Sequence, residues 1–131
     1  MNKMGIVGYF SILTLTLGLS ASLFAHHSQS QYDTSQTVAV EGTFTAISWS
    51  NPHSLFYLSG RSQGEKDAPV ERWVVEGPSP RGMENFGFTK DAAKVGEKII
   101  LMGNPRRDGK RELLLLSVIL PDGRKITFKP E

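Results

Sequence analysis

Arg111 to Leu120 holds an almost unbroken apolar run, Leu113-Leu114-Leu115-Leu116 and then Val118-Ile119-Leu120. A half-solvated strand alternates apolar and polar side chains, so a run without alternation is buried on both sides or closes a barrel. Pro121-Asp122-Gly123 ends it in a tight turn, and a last short strand, Lys125 to Phe128, follows. The chain has no cysteine. Packing alone must therefore hold the fold together, and thiolate metal sites, CxxC redox chemistry and cysteine nucleophiles are excluded.

The segments before this run are also mostly β. Thr37 to Trp49 alternates Val38, Val40, Phe44 and Ala46 against polar neighbours, after which Ile47 and Trp49 take the opposite parity. That phase change predicts a bulge or bend, with Gly42 as the place for the strand to coil. Ser50-Asn51-Pro52-His53 is turn chemistry, and Ser54 to Ser59 is a second strand. A charged loop from Gly60 to Pro69 leads to a third strand, Val70 to Glu76. Ser79 can cap a short helix that has Pro80 in its first turn and stops at Gly87, and Thr89 to Lys94 can add another turn. Glu97 to Met102 is the fourth strand, Asn104 to Lys110 a loop, and Arg111 to Leu120 the fifth strand.

This order predicts a mostly β fold, an OB-like five-stranded, partly open barrel with one short helix between strands 3 and 4. A β-sandwich or another small roll is the competing arrangement.

At the other end of the chain, Lys3 precedes about 20 uncharged residues that finish in small side chains at Ala25, the order of a secretory signal peptide. A membrane anchor is the alternative for a run of that length, but threonines, serines and glycines dilute it. Residues 1–25 are thus read as a signal peptide, with a competing cut after Ser22. Residues 26–36 form a flexible polar arm, and 37–131 the barrel domain. Cleavage leaves about 106 residues with a net charge of about +1, one small domain without the charge of a polyanion binder. The location expected is periplasmic or secreted, with no membrane attachment once the leader is gone.

Four features together resemble a family of small exported bacterial proteins of unknown function. They are the leader ending in Ala25-His26-His27-Ser28, the Trp49-Ser50-Asn51-Pro52-His53 turn, Trp73-x-x-Glu76 with Ser79-Pro80, and Gly87-x-Thr89 through Gly96. The match spans nearly the whole mature chain. The resemblance implies export and a β-barrel, and it implies no particular chemistry. Arg81-Gly82-Met83 departs from it by bringing a glycine into the helix.

The three histidines all belong to these segments. If cleavage follows Ala25, the mature chain starts with His26, whose amine and imidazole form a chelating pair. His53 or His27 would complete a site for copper or a similar divalent ion. The alternative is a module for an anionic envelope component or partner protein, with Trp49 and Asn51 in one loop and Arg106, Arg107, Lys110 and Arg111 in another. Asp108 and Glu112 offset part of that charge. Export disfavours nucleic acid as partner. Glu76, at a strand end, reads as a salt-bridge or turn residue, Met83 and Met102 as core filling, and no catalytic motif is visible.

Overall fold

The structure, a computed structural model, describes residues 29–65 and 67–128. The segment expected to be a signal peptide and both His26 and His27 lie outside the described residues. Those from Gln31 onward form one compact unit.

A strand that changes parity must bend to keep its apolar side chains on one side. Strand β1 (Val38–Ser48) does so, burying Val40 and Phe44 and then shifting register between Phe44 and Ala46 where it pairs with β2 (Ser54–Ser62). Gly42 faces Gly60 across this pair, and a Cβ on either would fall on the other strand's backbone. The close approach lets β1 coil far enough to pair with β2 along one edge and with β4 (Lys98–Pro105) along the other.

Strand β3 (Glu71–Gly77) runs antiparallel to β2, and β5 (Glu112–Ile119) runs antiparallel to β4. The barrel closes where β5 meets β3 in parallel, Val74 opposite Glu112 and Glu76 opposite Leu114. Strand β6 (Lys125–Thr127) adds to the far half of β5. The order β3-β2-β1-β4-β5, with β3 returning to β5, is that of an OB barrel. Strand β5 pairs along its edges with β4, β3 and β6, and its side chains are buried on one face at Leu113 and Leu115 and half-buried on the other at Leu114 and Leu116, so no residue of the apolar run is fully exposed.

Helix α1 (Pro80–Asn85) lies between β3 and β4, with Ser79 accepting the N–H of Gly82 at 3.2 Å and Gly87 taking a positive φ of 88° after its end. Met83 on this helix is fully buried, and a side chain at Gly77 would run into Met83, Leu115 and Phe56. In the core the rings of Phe56 and Phe88 meet edge to face at 5.2 Å, a favoured aromatic geometry.

Three expectations need correction. Thr89 to Lys94 forms a turn, with Ala92 N–H donating to Thr89 carbonyl at 3.0 Å, and no second helical segment. The fourth strand runs on to Pro105, because Gly103 packs against the Leu114 carbonyl and buried Asn104 gives its Nδ2 to the Gln36 carbonyl at 2.6 Å. Residues with turn chemistry thus continue the ladder.

The third correction concerns the polar arm. From Gln31 it is strapped along the end of β4: Arg107 N–H donates to Gln31 carbonyl at 2.9 Å, and Asp33 N–H to Pro105 carbonyl at 2.8 Å. Tyr32, between them, bridges to Arg106 and is only 4% exposed.

Candidate functional site

The loop between β1 and β2 is held by Ser50, whose hydroxyl donates to the His53 carbonyl at 2.9 Å. The next residue, Ser54, starts β2 opposite Gly77, so His53 lies beside the end of β3, where Glu76 sits. His53 Nδ1 is 3.5 Å from Glu76 Oε1, with the two side chains 27% and 13% exposed. The other carboxylate oxygen, Oε2, accepts the Tyr32 hydroxyl at 3.1 Å. Residues from the arm, the first loop and the third strand therefore meet at one corner.

The electrostatics of this corner follow from its burial. Burial foremost, and then the charge and hydrogen bond of Glu76, push the Tyr32 phenol well above its ordinary value, so it stays a donor. A carboxylate facing Nδ1 favours the tautomer with the proton there, which leaves the lone pair on Nε2. That second nitrogen is buried and has no hydrogen-bond partner among the described residues. A buried imidazole nitrogen in this condition can accept a proton donor or coordinate a metal.

The site residues expected from sequence separate into two groups. His53 is joined to Glu76 and to the arm, whereas His26 and His27 lie outside the described residues. Among the described residues no three His, Asp or Glu side chains are grouped as a complete metal site requires. Glu76 and Tyr32 were not expected here. Glu76 was legible only as an acidic strand end, and the one signal for Tyr32 is a lone aromatic in a Ser/Gln-rich stretch.

The alternative, anion-binding group is largely neutralised. Arg106 is paired with Glu112 at 2.6 Å and Asp108 at 2.9 Å, Lys110 with Asp108 at 3.8 Å, Arg107 with Asp33 at 4.0 Å, and Arg111 with Glu71 at 2.5 Å. Arg111 also lies over the Trp73 ring at 5.4 Å. Trp49, expected as a stacking surface, is partly buried against the core with its ring 6.1 Å from that of Phe88, while Asn51 is exposed.

The family model for DUF6152, a family of unknown function, matches residues 15–115. The chain belongs to that family. No curated protein matches this DUF6152 member. Among solved structures it is similar to the mitochondrial single-stranded DNA binding protein Rim1 from S. cerevisiae, at 7% identity and a TM-score of 0.48, over 65% of this chain and 92% of that one. It is also similar to the ZRD-deleted mutant of TiaS in complex with agmatine, at 12% identity and a TM-score of 0.46, over 75% of this chain but only 25% of that one. Neither likeness bears on what this chain binds.

Proposed function

We propose that this is an exported, periplasmic or secreted protein that binds copper or a similar divalent ion. His53 Nε2 supplies one ligand, and the amine and imidazole of a mature terminus at His26 supply the others, with His27 as the alternative imidazole. The observation that supports this reading is the state of His53: Nδ1 faces a carboxylate and Nε2 is buried without a partner among the described residues. Histidine ligands to metals commonly have this arrangement, in which a carboxylate orients the ring and raises the basicity of the ligating nitrogen.

Chain length supports it too. The arm is fixed at Tyr32, whose hydroxyl touches the same Glu76 that faces His53. His26 is six residues upstream, so about 20 Å of extended chain is available to bring the terminus to His53. The terminal amine, with an ordinary pKa near 8, gives up its proton to a metal readily at neutral pH.

Intact mass of the protein recovered from the cell envelope will give His26 as the first residue. Copper(II) titration of that species will give one equivalent bound, and His26→Ala and His53→Ala will each bind at least about tenfold more weakly. Equal affinity in all three proteins overturns the reading.

A further inference from the structure

We infer that Tyr32 is a positioning residue: through Glu76 it sets the orientation and tautomer of His53, and the same side chain latches the N-terminal arm to the barrel. This inference rests on the metal-site reading above for its purpose, but its mechanism concerns the metal-free protein. Glutamate has three side-chain torsions, and a carboxylate held at one oxygen keeps the other in place at a lower entropic cost. Here Oε2 is held by the Tyr32 hydroxyl and Oε1 is the oxygen beside His53 Nδ1.

The backbone fixes Tyr32 as firmly as the carboxylate does. Its neighbours Gln31 and Asp33 are hydrogen-bonded to Arg107 and Pro105, and Tyr32 itself bridges to Arg106. Its hydroxyl therefore reaches from the end of β4 to a carboxylate on β3, 44 residues away in sequence. The Asp33 carboxylate then takes the Ser35 N–H at 3.1 Å, the Ser35 hydroxyl at 2.6 Å and the Gln36 side-chain amide at 2.7 Å, which closes the turn that leads into β1. A tyrosine that only filled space would need no hydroxyl, and phenylalanine would replace it without consequence at His53.

The test is imidazole ¹⁵N NMR on metal-free protein at a pH where His53 is neutral. The native ring will be predominantly the Nδ1–H tautomer. Tyr32→Phe and Glu76→Gln, each with an otherwise native amide spectrum, will show a mixture of both tautomers, and the double variant will show no more than Glu76→Gln alone. Unchanged His53 shifts in folded Tyr32→Phe overturn the inference. Copper affinity supplies the second arm: Tyr32→Phe will weaken binding about tenfold in the native background and hardly at all in Glu76→Gln. An equal loss in both backgrounds assigns Tyr32 a packing role only. Tautomer coupling without copper binding would remove the metal reading and leave the positioning role standing.

Discussion

At the scale of single residues, the chemistry of the corner depends on what burial does to Tyr32. Its phenol is held above its ordinary value of 10.0, first by burial and then by Glu76. The folded-state value lies above the unfolded one, so the neutral phenol's contribution to stability is complete below about pH 10 and is lost as pH rises through the folded value. Tyr32 will therefore stay un-ionised in a spectrophotometric titration beyond the pH at which a free tyrosine titrates. Native protein will lose more stability above about pH 10 than Tyr32→Phe does, and superimposable alkaline stability profiles would contradict this. Asp33 shifts the opposite way, held below its ordinary value first by the Ser35 hydroxyl and then by the Ser35 and Gln36 amides. Neither Tyr32 nor the pairing of Glu76 with His53 was legible in the sequence. Local periodicity reports which face of an element is apolar, whereas this contact joins residues 44 apart, from a stretch with no apolar pattern.

At the scale of elements, the strands were legible because their signals are local. The parity change in β1 became the bulge between Phe44 and Ala46, and the apolar run of β5 became the strand with three partners. Sequence reasoning stopped short at Gly103-Asn104-Pro105, where turn residues serve close strand contact and a buried side-chain hydrogen bond. Gly103→Ala places a methyl group on the Leu114 carbonyl, and chemical denaturation will show a loss of about 1–3 kcal/mol. Leu113→Ala empties a fully buried site on the closing strand and will lose about 2–5 kcal/mol in the same experiment. A protein starting at Thr37 lacks the Gln36 carbonyl that satisfies Asn104, so it will keep the β-barrel circular dichroism spectrum but unfold at lower denaturant. Loss of that spectrum would mean that the arm is part of the folding core.

At the scale of the whole molecule, a cysteine-free OB barrel with an arm strapped along the end of β4 presents, among the described residues, one histidine fixed by a carboxylate. Its thermal midpoint will be the same with and without reductant, since no disulfide contributes. The basic loop after β4 adds little net field, because its acidic partners lie within ion-pair distance. That leaves the corner of Tyr32, Glu76 and His53 as the feature that joins arm, sheet and loop. The central claim is that His53 is a ligand, and pulsed EPR of the copper(II)-loaded protein processed to His26 tests it most directly. The spectrum of the native protein will contain the remote-nitrogen modulation of one more coordinated imidazole than that of His53→Ala. Identical modulation in the two proteins would contradict the account.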